Sequence, residues 1–338
     1  MFLTGSPEPV VGFDRAPELG DLSGQSRVHA WLIGLAMAMP LSASAAGTAI
    51  DCLQDEDSRL AISACTALIE AKAPTPTAFS ARGDAYRATG DFTRAIADYT
   101  KALEFEPRDA EVLYKRGLAL TRQGLLGRAA DDLTKAIEID RKLDGAYFAR
   151  GEVFRAQGNL SRALSDYDAA LAINPRATWV HLARGAVYRG SGDRLRAIAE
   201  FSTAIKINPE SADAYFERAN VLRDMALFDS AITDYSRFIE LRPKDADAYN
   251  NRGWAYYSMG DAARALDDAN KALTIRPFDP DLLDTRGHVL EFVGRRDEAA
   301  ADYQNALRLN PGLQGSRDGL KRLGDVASGS QNADLRRN

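Results

Sequence analysis

Between Pro76 and Leu313 the chain repeats one arrangement of small, apolar and charged positions every 34 residues. With Pro76 as position 1, position 8 is small: Gly83, Gly117, Gly151, Gly185, Ala219, Gly253 and Gly287. Position 20 is always alanine, from Ala95 to Ala299, and position 24 is mostly aromatic: Tyr99, Tyr167, Phe201, Tyr235 and Tyr303, with Leu133 and Ala269 as exceptions. Spacings of three and four place Ala95, Tyr99 and Ala102 on one helical face, which predicts an amphipathic helix in the second half of each unit. Position 11 (Tyr86, Leu120, Phe154, Tyr188, Leu222, Tyr256, Leu290) supplies the matching face of a helix in the first half. Small residues at 8 and 20 let two antiparallel helices approach, and the large ones at 11 and 24 fill the space beside them. Glycines such as Gly90, Gly124 and Gly192 supply the turn between helices. Prolines at position 32, six in seven units, end the second helix because proline cannot continue it. A strict period in this range predicts a stack of helix hairpins, each touching its neighbours.

These residues resemble the tetratricopeptide repeat, over 76–313 without gap or insertion. The resemblance implies an all-α fold, a right-handed α-solenoid of seven tandem helix-turn-helix repeats. It also implies that the first helix of each pair lines a concave groove that holds a partner's peptide or helix.

Outside the array the pattern changes. Residues 1–46 read as an N-terminal extension and signal peptide: Ala30–Met39 is uncharged and apolar, and Ala43-Ser44-Ala45 offers an Ala-x-Ala cleavage site. The apolar run is short for a membrane span, so no transmembrane span is expected in the mature chain. The flank before it is acidic, with Glu8, Asp14, Glu18 and Asp21 against Arg15 and Arg27, which suggests a translation start nearer Arg27. Cleavage near Ala45 would make the protein periplasmic or secreted. Residues 47–75 form an eroded repeat or cap. Extending the register backwards puts Ala61 at position 20 and Cys52 and Cys65, the chain's two cysteines, at positions 11 and 24. Two cysteines in slots that pack together fit a disulfide in an oxidising compartment; two buried thiols filling aromatic slots are the other reading. Residues 314–323 are expected to form a capping helix and 324–338 a disordered tail.

Candidate chemistry is sparse. The three histidines, His29, His181 and His288, lie in no catalytic or zinc spacing, and no phosphate-loop motif occurs. Neither an enzyme, a cofactor nor a metal is expected, and a net charge of −5 gives no basic field for nucleic acid.

Two charge patterns recur in register. Arginine at position 7 (Arg82 to Arg286) faces an acid at position 23 (Asp98, Asp132, Asp166, Glu200, Asp234, Asp268, Asp302), which predicts a structural ladder of ion pairs. In the resembled family, positions 2, 5, 9, 12 and 13 face the groove. Carried over, these give Arg87, Arg155, Arg189 and Arg223 with Tyr257 at position 12, Phe148 and Phe216 at position 5, and Asn220 and Trp254 at position 9. That describes a basic, aromatic-floored channel with an acidic mouth at Asp247, Asp281 and Asp284. The arginines either grip carboxylates on a peptide or lie over packed neighbours without binding anything. The clamp by which some members hold acidic chaperone tails is missing. Asn220 and Asn251 match its two asparagines, but Phe216, Asp281 and Thr285 replace its three basic residues.

The sequence therefore describes a non-enzymatic scaffold for protein–protein interaction, holding a protein or peptide partner in the groove, in the bacterial envelope. A module for envelope glycan or cell-wall ligands, or a cytosolic assembly factor or co-chaperone, are the alternatives.

Overall fold

The computed structural model describes residues 43–54, 56–71 and 74–335, and all its described elements are α-helices. They fall into two compact units, one ending at Pro175 and one starting at Arg176. The first pairs α1 (Ala43–Leu53) with α2 (Ser58–Glu70), α3 (Pro76–Ala88) with α4 (Phe92–Phe105), α5 (Ala110–Arg122) with α6 (Leu126–Ile139), and α7 (Asp144–Ala156) with α8 (Leu160–Ile173). The second pairs α9 (Thr178–Gly190) with α10 (Arg194–Ile207), α11 (Ala212–Asp224) with α12 (Phe228–Leu241), α13 (Ala246–Ser258) with α14 (Ala262–Ile275), and α15 (Pro280–Phe292) with α16 (Arg296–Leu309). A last helix, α17 (Gln314–Leu335), lies on α15 and α16. Within each unit the second helix of a hairpin also packs on the first helix of the next.

Local chemistry sets these boundaries. Asp91, Asn159, Asp193 and Asp261 accept hydrogen bonds from the backbone N–H groups of the second helices they precede. Between the two helices of a hairpin the chain takes a left-handed turn at Gly90, Gly124, Gly158, Gly192, Gly260 and Gly294, with φ from +76 to +80°. In the hairpin of α11 and α12 the same job falls to Ala226, at φ 57°.

The core follows the repeat. All seven alanines at position 20 are fully buried, and so are Tyr99, Leu133, Tyr167, Phe201, Tyr235 and Tyr303. Each such aromatic side chain contributes about 1.5–3 kcal/mol by leaving water. A buried phenol also needs a hydrogen-bond partner, and position 9 supplies one only where position 24 is tyrosine. Tyr99 donates to Asp84 at 2.8 Å, Tyr167 to Glu152, and Tyr235 to Asn220 at 2.6 Å, while Tyr303 meets His288 Nδ1 at 3.1 Å. Where position 24 is Leu133, Phe201 or Ala269, position 9 is Leu118, Ala186 or Trp254. The two positions change together, in alternate hairpins, so that no phenol is stranded.

At the N-terminal end Cys52 of α1 and Cys65 of α2 form a disulfide, with Cα atoms 4.7 Å apart, buried against Ala64 and Ala78. Ala43-Ser44-Ala45 lies in the first turn of α1, and the apolar segment Ala30–Met39 lies outside the described residues. At the other end α17 does not stop at 323: helix continues to Leu335, through a stretch that holds no proline. Residues 336–338 of the expected disordered tail lie outside the described residues.

Candidate functional site

The position-7 arginines do more than pair with one acid. Arg116 donates from Nε and Nη2 to Asp132 of its own hairpin at 2.7 and 2.9 Å, and from Nη1 to Thr100 of the preceding hairpin at 3.0 Å. Arg82 does the same with Asp98 and Thr66, and Arg150 with Asp166 and Thr134. In the second unit Arg218 takes Asp234 and Ser202, Arg252 takes Asp268 and Ser236, and Arg286 takes Asp302 and Asn270. The six aspartates are only 3–5% exposed, so each carboxylate depends on its arginine for solvation. These hydrogen bonds raise the pKa of Arg82, Arg150, Arg218, Arg252 and Arg286 against the opposing effect of burial. The hairpin of α9 and α10 is different. There a longer Glu200 meets Arg184 Nη2 at 2.8 Å and also His181 Nδ1 at 2.8 Å. The position-25 acceptors of these six rungs were not singled out from the sequence. Their period was readable, but their identities vary among threonine, serine and asparagine.

The position-12 arginines each lie against a carboxylate of this chain. Arg87 is 4.0 Å from Asp84, which also accepts from Lys115 at 2.7 Å. Arg155 grips Glu152 at 3.1 and 2.6 Å. Arg189 of α9 reaches Glu217 of α11 at 2.9 Å, and Arg223 bonds Asp224 at 2.8 Å. The expected basic stripe is thus a set of ion pairs, and an incoming carboxylate would have to exchange with one already present. Phe148 is buried against Tyr167, with ring centroids 5.8 Å apart, and Asn220 is buried beneath the Tyr235 hydroxyl. Phe216 packs between Tyr235 and Phe238, at 5.9 and 4.9 Å.

Trp254 and Tyr257 are placed differently. Trp254 is 38% exposed and lies 5.1 Å from Tyr257, which meets Phe292 of α15 edge-on at 5.5 Å. Phe292 is 56% exposed and was not among the expected groove residues. Position 13 beside a position-9 tryptophan of the previous repeat is the signal that would have found it. Trp254 also touches His288 edge-on at 6.0 Å, and His288 Nε2 lies 3.5 Å from Asp284. From there the acidic mouth begins. Asp247, Asp279 and Asp284 lie around Asp281, and Arg276 pairs with Asp247 and, at 3.3 Å, with Asp279. Burial, then the charges of Asp279, Asp284 and Asp247, push the Asp281 carboxyl above its ordinary value. Among the described residues no group of His, Cys, Asp and Glu could hold a metal ion, and no helix is long and apolar enough to cross a membrane.

Family models agree with this architecture. A TPR repeat model matches residues 83–124 and 151–192, and two tetratricopeptide repeat models match 182–224 and 217–280, and 110–143 and 280–313. No curated protein matches the chain. Among solved structures, a tetratricopeptide repeat protein from Parabacteroides merdae is 23% identical, over 73% of this chain and 98% of its own, with a TM-score of 0.52. The C-terminal part of a TPR repeat-containing protein from Cytophaga hutchinsonii is 17% identical over 70% and 98%, at 0.59. The pilF protein of Pseudomonas aeruginosa is 19% identical over 63% and 97%, at 0.56. At these identities the likeness is one of fold. Repeats of this kind are scaffolds for protein–protein interaction, and this chain belongs to the tetratricopeptide repeat family.

Proposed function

We propose that this chain is a non-catalytic scaffold of the bacterial envelope that holds a partner's polypeptide segment against the first helices of its hairpins. The observation that carries this reading is the division of labour among polar groups. Position-7 arginines and position-24 tyrosines are consumed in the packing, while the first helices keep open aromatics and exchangeable ion pairs outside it. Open aromatics give a partner anchoring area at low entropic cost, and ion pairs at the rim give register. The Cys52–Cys65 disulfide supports export, since such bonds persist in oxidising compartments.

The test has two parts. Intact mass of the protein recovered from its host's envelope fraction is expected to lack about the first 45 residues, with two thiols appearing only after reduction. A full-length mass with free thiols sinks the envelope assignment. Affinity capture from the same fraction is expected to yield one defined protein with the wild type and far less of it with Arg189→Glu. Retention of isolated envelope polymer in place of a protein would instead favour glycan binding.

A further inference from the structure

We infer that the face shared by α13 and α15 binds an extended, cationic segment of a partner protein, with a large apolar side chain seated on Trp254, Tyr257 and Phe292. This rests on the scaffold reading and adds to it the chemistry of the partner and the place where it docks.

The face is continuous. Asn250, Trp254 and Tyr257 are spaced by four and three residues on α13, and Asp281, Asp284, His288 and Phe292 follow the same spacing on α15. Contacts join the two helices along it: Arg276, just after α14, ties Asp247 to Asp279 at the start of α15, Trp254 touches His288 in the middle, and Tyr257 touches Phe292 at the other end. One end is therefore acidic and the other aromatic.

Charge selects the occupant. At the acidic end Arg276 pairs with Asp247 and Asp279, Asp284 accepts from Ser316, and burial together with these neighbouring carboxylates raises the Asp281 carboxyl. A lysine or arginine arriving there removes repulsion that the fold leaves in place. The aromatic end suits the same partner, because ring faces attract cations and cover alkyl chains. In the middle, the Asn250 side-chain oxygen is buried without a hydrogen-bond partner. Turned outward, that amide would accept from a main-chain N–H of an extended segment.

The geometry also sets a spacing. Asp247 and Tyr257 are separated by about 15 Å along α13, at 1.5 Å per residue. An extended chain covers that distance in about four to five residues. Basic side chains and the apolar anchor should therefore be about that far apart in the partner.

The experiment selects phage-displayed random peptides of about twelve residues on the full chain, then measures synthetic copies by fluorescence anisotropy. The expected winners carry net positive charge and an aromatic or branched apolar residue about four to five positions from a basic one. Their binding should weaken with added salt. It should fall at least about tenfold with Phe292→Ser and with the pair Asp247→Asn and Asp281→Asn. Circular dichroism of each variant guards against unfolding. Acidic winners that ignore Phe292→Ser but lose binding with Arg189→Glu would overturn this inference and leave the scaffold reading standing. No enrichment at all, or retention of envelope polymer instead, would overturn both.

Discussion

The Cβ that Gly185 lacks would lie 2.6 Å from Cε1 of Phe201. The same relationship holds between Gly83 and Tyr99, Gly151 and Tyr167, and Gly287 and Tyr303, with the ring 2.6–2.8 Å away. Position 8 is therefore small because the facing ring occupies the place of its side chain. Gly185→Leu is expected to cost about 1–3 kcal/mol by overpacking, read from the urea midpoint. Gly253→Ala is expected to cost less, since Ala269 replaces the ring and the nearest atom is Asp268 Cβ at 3.2 Å. Equal losses at both sites would contradict this account of position 8.

Ala226 holds a left-handed turn that glycine holds in the other six hairpins of the array. An L-side chain there costs about 1–2 kcal/mol in backbone strain. Ala226→Gly is expected to stabilise by about 1 kcal/mol, glycine's larger entropy loss offsetting part of the relief. Gly192→Ala should move thermal unfolding the other way, and a drop with Ala226→Gly would count against strain as the cause.

The Arg116–Asp132 pair is more costly to break than to lack. Asp132→Ala leaves a partly buried guanidinium without its carboxylate and is expected to cost about 3–5 kcal/mol. Thr100→Val removes a neutral acceptor and should cost about 1 kcal/mol. The double change Arg116→Met with Asp132→Leu should recover most of the larger loss. A double-mutant cycle by denaturant unfolding measures this, and an Asp132→Ala loss as small as that of a surface pair would refute it.

Glu200 gives the stability a pH dependence of known sign. Burial alone would raise its carboxyl, but hydrogen bonds from His181 and Arg184 hold it below the ordinary glutamate value of 4.5. A depressed folded value means that the stabilisation is complete above 4.5 and is lost as pH falls through the folded value. Glu200→Gln should therefore lower stability near neutral pH and flatten its decline in acid. Parallel curves for variant and wild type, from urea midpoints at stepped pH, would remove Glu200 as the source.

Much of this was legible because it repeats. Seven copies of one unit average out the exceptions at Leu133, Ala219 and Arg141, and the register carried back put Cys52 and Cys65 in facing slots, where the structure joins them by a disulfide. What escaped was whatever depends on the offset between neighbouring helices. The sequence offers Arg189 several acids within reach, and only the stacking of α9 on α11 selects Glu217. Phe292 escaped for the same reason, since its neighbour Tyr257 is a full repeat away in the chain. The end of α17 escaped because its residues carry neither a repeat nor a proline to mark it.

The rungs built on Thr66, Thr100 and Thr134 point one way along the chain. Each arginine reaches back to the hairpin made before it, never forward to the next. Within a unit, removing a hairpin from the C-terminal side leaves a threonine hydroxyl that still donates to its own helix, whereas removing one from the N-terminal side takes the acceptor from one guanidinium N–H. The fold therefore has a foundation and a growing edge. Thr66, on the shortened hairpin locked by the disulfide, is the footing on which the first arginine rests. At the far edge the place one period after Arg286 is Leu320, which packs on Leu290 and Tyr303 and ends the series with an apolar lid.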